Sequence, residues 1–250
     1  MTVDTRQSIS LENALEPAAQ LAALARALER AGYADQIAGH ITYSSGDGTL
    51  LSTPWELFWH EMKASDMVRI DMNGEVIEGT HKVTPAISLH LEIHKRRPDV
   101  KIAVHNHPDY ATIWAAVQEI PPPYDQTAAM VLDDEMVVYA EYEGNVSSAV
   151  LAAQNVAAMG DHKTIALLAN HGVLVFAKSF QHAYLKSIAL ERRAKLAWQV
   201  HALGEGVGKP MNSAAAEQMG RMMSDREVPW PHLWEAVLRR EIRLDPSVVE

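Results

Sequence analysis

"VKIAVHNHPDYATIWAAV", residues 100–117, is the stretch from which the rest of the chain can be read. A short apolar run, Ile102-Ala103-Val104, leads into His105-Asn106-His107, and Pro108 closes it. A short apolar, β-branched run bounded by a turn residue reads as a strand, and "DYATIWAAV" after it reads as a helix. On a strand, residues i and i+2 project from one face. His105 and His107 therefore point the same way, close enough to grip one metal ion. Neutral imidazole is a common ligand for zinc, iron and related metals. Two such rings can also do no more than cap a strand end by hydrogen bonding.

A third histidine bears on that choice. His171 lies in "TIALLANHGVLVFA", residues 164–177, which reads as a buried strand pair turning at Asn170-His171-Gly172. A polar ring inside an apolar stretch needs a partner, because an unpaired buried polar group is costly. One metal shared with His105 and His107 would satisfy all three, and three protein ligands with an open position is the usual catalytic arrangement for zinc.

The rest of the pattern repeats the alternation. Residues 11–32 read as an amphipathic helix ending at Gly32, and 85–96 as a helix with Pro85 near its first turn. "HITYSS", "TLLST", "MVRID" and "EVIEG" read as short strands, the last two joined by an Asn73-Gly74 hairpin turn. "EMVVYAEY" reads as another strand, and 145–159 and about 180–202 as helices. Helices alternating with strands, some joined by tight hairpins, predict an α/β fold with a mixed, mostly antiparallel sheet covered by helices. The chain is expected to form one domain over 1–250, with a core of about 15–205 and a helical tail over 206–250. In that tail "REVPWPHLWEAVLRREIRLDP" predicts an amphipathic helix entered at Pro231, with Trp230, Leu233, Trp234, Val237 and Leu238 on its apolar face.

Composition narrows the function classes. The chain has 250 residues, 48% hydrophobic and 22% charged, a globular balance. Its formal net charge of −10 argues against a nucleic-acid binder, which would show a basic face. Without cysteine there is no disulfide framework and no thiolate metal site. The opening "MTVDTRQSIS" has no apolar core of a secretory signal. No apolar run approaches the ~18 residues of a membrane span. The expectation is a soluble cytoplasmic protein acting on a small molecule, with no nucleic-acid or membrane partner.

"RRPDVKIAVHNH" followed by "ATIWAAV", and then "ALLANHGVLVFAKSFQHAYLKSIALERRAK", resembles the class II aldolase and adducin family. The resemblance runs from about Leu21 to Ala202. It implies a three-layer α/β/α domain and, in most members, a fourfold homo-tetramer with sites at subunit contacts. It also implies a divalent metal on His105, His107 and His171, with zinc expected first and manganese or iron as alternatives. In the family's enzymes the metal polarises a carbonyl oxygen and stabilises the enediolate formed as a carbon–carbon bond breaks.

Departures from the sugar-phosphate aldolases matter as much. Those enzymes carry a Ser-Ser-Glu signature whose glutamate, an acid/base and extra metal ligand, lies four residues before a helix histidine. Here that histidine is His90, and Thr84, Pro85 and Ala86 occupy the signature. Alanine cannot move a proton, and proline offers an anion neither N–H nor hydroxyl. The family's Gly-Asn-x-Ser loop is "AGHITYSS", with His40 in the asparagine place. A second group in the family shows Gly-His here and lacks the glutamate. It includes adducin-like bacterial proteins, aromatic-acid decarboxylases and an iron-dependent oxygenase-like branch, and "GHITYSSGDGTLLSTPWELFWHEMKASDMVRID" resembles it more closely.

The expectation is a metal-dependent carbon–carbon lyase, a decarboxylase or retro-aldolase. Its substrate is expected to be a small non-phosphorylated hydroxy, keto or aromatic carboxylic acid. An iron-dependent oxygenase-like enzyme and an adducin-like binding domain with an idle metal site are the alternatives. His40 and Tyr124 are the candidate catalytic groups, Tyr124 because the family places a proton-donating tyrosine near "PPPYDQ". His40, Thr84, Trp55 and Trp59 are the candidate substrate contacts, and His40 could bond a substrate carboxylate. His90 and His94, four apart on one helix, read as packing or support for the metal ligands.

Overall fold

The protein is described from a computed structural model, which covers residues 10–140, 149–204, 206–224 and 232–250. Eight strands form one sheet: β1 His40–Ser44, β2 Thr49–Ser52, β3 Val68–Asp71, β4 Val76–Glu78, β5 Ile102–Asn106, β6 Met136–Tyr139, β7 Ile165–Leu168 and β8 Gly172–Ala177. Their order is β4-β3-β2-β1-β5-β8-β7-β6. Every pairing is antiparallel except β6 with β7. That one parallel pair is joined through a helix, as a parallel crossover requires.

The helices are α1 Leu11–Ala14, α2 Pro17–Arg30, α3 Ile87–Arg96, α4 Asp109–Val117, α5 Ala149–Met159, α6 Phe180–Ala202, α7 Ser213–Ser224 and α8 Leu233–Leu244. Strand alternation divides them between the two faces of the sheet. Val173 and Val175 of β8 join Ile41 and Val104 in a core closed by α2, α4, α6 and α8. Leu174 and Phe176, one step out of phase, join Ala103 and Ala166 in a second core closed by α3 and α5. A third cluster sets Leu91 of α3 on Leu50, Val68 and Ile70. The architecture is the expected α/β/α layering around a mixed, mostly antiparallel sheet.

Several boundaries moved for physical reasons. The helix expected over 11–32 is interrupted, because Pro17 has no N–H to donate and instead starts α2 at its first position. The helix expected from 85 starts at Ile87, after a turn in which the Thr84 carbonyl accepts from Ile87 N–H. Residues 145–148 of the helix expected over 145–159, residues 141–142 of "EMVVYAEY", Trp230 and Pro231 lie outside the described residues.

The apolar face of α8 is covered by its own chain. Trp234 is fully buried, its ring stacked on Phe180 at 5.8 Å between centroids. Its indole N–H donates to Gln20 Oε1 at 2.8 Å, and its backbone N–H donates to Gln181 Oε1 at 3.0 Å. Arg30 of α2 meets Glu241 of α8 at 3.1 Å. Trp234 is thus a keystone between α2, α6 and α8 rather than an interface residue. Truncation of a large buried aromatic leaves a cavity and an orphaned amide, so Trp234→Ala should destabilise the fold by about 3–5 kcal/mol. Urea unfolding checks this, and a change under about 1 kcal/mol would contradict it.

Candidate metal centre

Sheet register brings the key side chains to one end of the sheet. His40 opens β1 directly opposite His105 on β5. Asn106 of β5 pairs with Val173 of β8, and the β7–β8 hairpin turns through Ala169, Asn170 and His171 between the paired residues Leu168 and Gly172. Asn170 takes a left-handed conformation, φ 57°, which asparagine tolerates better than most residues. A side chain at 172 would not fit: its Cβ would lie 2.5 Å from His107 Cδ2 and 2.6 Å from the Asn106 carbonyl oxygen. Glycine is what lets the turn carrying His171 close onto His107.

The turn, register and strand together gather His105, His107 and His171. One ligand nitrogen from each lies within 4.8 Å of the others. Little ring rotation is needed to reach the roughly 3.4 Å separation implied by 2.0–2.1 Å bonds in tetrahedral geometry. The proton positions favour ligation. His105 Nδ1 is 3.0 Å from the Val173 carbonyl oxygen, which can only accept, so Nδ1 carries the proton and Nε2 its lone pair. His107 Nδ1 meets the Asp35 carboxylate at 3.0 Å with the same consequence. His107 Nε2 is buried and lacks a hydrogen-bond partner among the described residues. A bound cation would complete that atom, and carboxylate and carbonyl groups behind ligand imidazoles are the usual way such rings are oriented.

Other polar groups fix the backbone that carries these histidines. Asn106 Oδ1 accepts from the backbone N–H groups of His107 at 2.8 Å and Asp35 at 3.2 Å, tying the His107 backbone to that of Asp35. Glu191 of α6 accepts from the first backbone N–H groups of α4, Tyr110 at 3.0 Å and Ala111 at 2.9 Å. These are helix donors that lack intrahelical partners, so Glu191 anchors the chain just beyond His107. Burial raises the Glu191 pKa above the ordinary carboxylate value.

His40 stands next to the trio, its ring centroid 4.8 Å from that of His105. Behind it runs a buried polar chain. His40 Nδ1 meets His90 Nε2 at 2.8 Å, His90 Nδ1 meets Thr42 Oγ1 at 2.7 Å, and Thr42 Oγ1 meets His94 Nε2 at 2.9 Å. His94 Nδ1 ends the chain on the Val100 carbonyl oxygen at 3.2 Å. Burial first, then the nearby imidazoles, hold His40, His90 and His105 well below the usual histidine pKa. Burial likewise lowers His94 and His171 to about 4. All five rings are neutral at neutral pH, the state in which imidazole binds metal without displacing a proton.

The other expected site residues fare differently. Trp59 was a candidate substrate contact, but it is 1% exposed and its indole N–H donates to the Gly39 carbonyl at 3.2 Å. It supports the loop entering His40 and offers no open face. Thr84 is buried, and its hydroxyl accepts from the Ala86 N–H at 3.2 Å. Trp55 is exposed on its loop. Tyr124 lies edge-on to His201 at 6.4 Å, where α6 ends, with Asp125 bound to Arg192 at 2.7 Å. Asp35, Thr42, Asn106 and Glu191 did not emerge from the sequence. Asp35 sits 72 positions from His107, and no local spacing marks such a pair.

The chain matches the family model of the Class II Aldolase and Adducin N-terminal domain over residues 19–198, and it belongs to that family. Its fold is similar to that of an aldolase II superfamily protein from Pseudomonas syringae. The TM-score is 0.82 at 22% identity, covering 94% of this chain and 97% of that one. The L-fuculose 1-phosphate aldolase from Glaciozyma antarctica PI12 aligns with TM-score 0.78 at 19% identity, covering 93% and 91%. YgbL from Klebsiella pneumoniae, described as an aldolase, epimerase or decarboxylase, aligns with TM-score 0.68 at 25% identity, covering 81% and 96%. No helix among the described residues is long and apolar enough to cross a membrane.

Two outcomes follow from the geometry. Loss of an orienting carboxylate typically lowers metal affinity 10–100-fold, so Asp35→Ala should do so while leaving the circular dichroism unchanged. Unchanged zinc affinity in a competition titration would contradict the assignment. The second outcome concerns acid. Folded-state histidine pKa values near 4, against 6.5 unfolded, mean that the unfolded chain binds more protons between these limits. Stability therefore falls as pH drops from about 6.5 toward about 4. Urea midpoints of the metal-free protein should be lower at about pH 5 than at about pH 7.5, and equal midpoints would contradict this.

Proposed function

We propose that this protein is a metal-dependent carbon–carbon lyase, a decarboxylase or retro-aldolase acting on a small, non-phosphorylated hydroxy, keto or aromatic carboxylic acid. The observation that carries the reading is the trio itself: three imidazoles from β5 and the β7–β8 turn, two with Nδ1 already committed to acceptors. His105, His107 and His171 would hold a divalent cation, zinc in the first place. When bound, it would supply Lewis-acid polarisation of a substrate oxygen while a bond to carbon breaks.

The surrounding residues limit the substrate. Thr84 has its hydroxyl in the turn before α3, Pro85 offers no N–H, and Ala86 carries no exchangeable proton. A phosphate would find little to hold it there. Trp59 keeps the entry to β1 rigid, so His40 is presented beside the trio in a fixed orientation. His40 is thus the side chain best placed to meet a substrate atom.

The same reading includes a homo-tetramer. Ile113 and Val117 of α4 and Trp198 of α6 are exposed on adjoining helices, with Leu203 just beyond α6. Tyr124 lies beside His201 in the last turn of that same helix. Apolar surface of this kind is commonly covered by another subunit. A neighbouring copy seated there would carry its own Tyr124 toward an adjacent site as a proton donor.

The test is a screen of the zinc-loaded protein for carbon dioxide or aldehyde released from hydroxylated aromatic and keto acids. Turnover should vanish with a chelator and return with added metal, while fuculose 1-phosphate should be a poor substrate. Efficient cleavage of fuculose 1-phosphate would contradict the substrate class, and turnover indifferent to the chelator would contradict the metal. Iron in the protein as purified, with oxygen consumption, would favour an oxygenase-like activity instead.

A further inference from the structure

The chain of side chains behind His40 has a direction, and that direction determines what His40 can offer a ligand. It starts at a group with no choice. The Val100 carbonyl can only accept, so His94 Nδ1 carries a proton. A neutral imidazole has one N–H, so His94 Nε2 is an acceptor. Thr42 must therefore donate its single hydroxyl proton to His94 Nε2. That proton is then unavailable to His90, so His90 Nδ1 donates to Thr42 Oγ1, and His90 Nε2 becomes an acceptor. His40 Nδ1 then donates to His90 Nε2. One tautomer forces the next along four side chains, none of them more than 8% exposed.

Neutrality of the chain rests on its composition as well as its burial. Among the described residues its hydrogen bonds include no carboxylate that would stabilise an imidazolium. The chain also ends on a backbone carbonyl, which takes no proton onward. It is a lock on ring orientation and tautomer rather than a route for protons.

We infer that His40 is held as its Nδ1–H tautomer and presents an unprotonated Nε2 beside the histidine trio, where it accepts a hydrogen bond from a substrate hydroxyl. An unprotonated nitrogen repels a carboxylate and welcomes an O–H donor. This reverses the hydrogen-bonding sense expected of a carboxylate-binding His40. It also narrows the substrate to acids carrying a hydroxyl or phenol beside the carbonyl or carboxylate that faces the trio. His40 touches the ligand, and Thr42, His90 and His94 are positioning residues. The ligand half of this inference rests on the proposed lyase reading, whereas the tautomer half does not.

Nitrogen-15 correlation spectra of the histidine rings in the full-length protein test it. For His40 the expected pattern is protonated Nδ1 and bare Nε2. Thr42→Val removes the hydroxyl and frees the His40–His90 pair to reverse together, so His40 should then populate both tautomers. Thr42→Ser should restore the single form. A wild-type His40 protonated on Nε2 would overturn the inference, and that spectrum decides the point whether or not Thr42→Val folds. A folded Thr42→Val protein whose His40 stays in one tautomer would overturn the role of the chain. In the zinc-loaded protein, glycolate, which carries a hydroxyl, should move the His40 Nε2 resonance, and acetate should not. An equal effect of acetate would overturn the ligand half. Absence of zinc binding would overturn the lyase reading and the ligand half, and leave the tautomer lock standing.

Discussion

Several imidazoles packed into one buried pocket must stay uncharged, and each neutral ring must find a home for one N–H. Rings such as His40, His105 and His171 stand with centroids 4.6–5.0 Å from neighbouring imidazoles. Protonating one ring would place a poorly hydrated cation beside others able to charge. The protein meets this constraint by supplying acceptors on the far side of the rings: the Val173 carbonyl, the Asp35 carboxylate and, through a relay, the Val100 carbonyl. Each acceptor ties up one ring nitrogen and leaves the other with its lone pair. The same hydrogen bonds that make the cluster tolerable also leave it with nitrogens free to accept a metal ion.

The fold exists around this placement. A carbonyl is available to His105 because β8 runs antiparallel to β5 and pairs Asn106 with Val173. His40 reaches the trio because β1 pairs on the other edge of β5, with His40 opposite His105. Two glycines allow the backbones to approach. Gly172 admits His107, and at Gly39 a Cβ would fall 2.3 Å from Asn106 Nδ2 and 2.7 Å from Trp59. Helices on one face finish the arrangement, with Glu191 of α6 gripping the start of α4. Core and site are therefore coupled through register rather than through a separate binding loop.

Much of this was legible in the sequence because it is local. The i,i+2 spacing of His105 and His107 on an apolar run, and the Asn-His-Gly turn between two apolar runs, carry their geometry in a few residues. Sheet alternation and helix periodicity likewise gave the layer architecture. What escaped is non-local. Asp35 and Thr42 gain their roles only when β1 and its preceding loop lie against β5 and α3. The tail helix, with Trp234 on its apolar face, advertises a surface to be buried without naming its cover. The cover turned out to be α2 and α6 of the same chain. Trp59 reads as a substrate contact for the same reason, since an aromatic in a loop can face a ligand or wedge a backbone, and here it wedges Gly39.

His105, His107 and His171 at this sheet end could hold a metal ion, with ring tautomers already arranged for it. X-ray absorption spectroscopy of the zinc-loaded protein measures it most directly. The expected result is one zinc per chain, with three imidazole nitrogens at about 2.0–2.1 Å and one further light-atom ligand. His107→Ala is also expected to remove the imidazole scattering without unfolding the chain. A spectrum dominated by carboxylate or water oxygens, or one unchanged in His107→Ala, would contradict it.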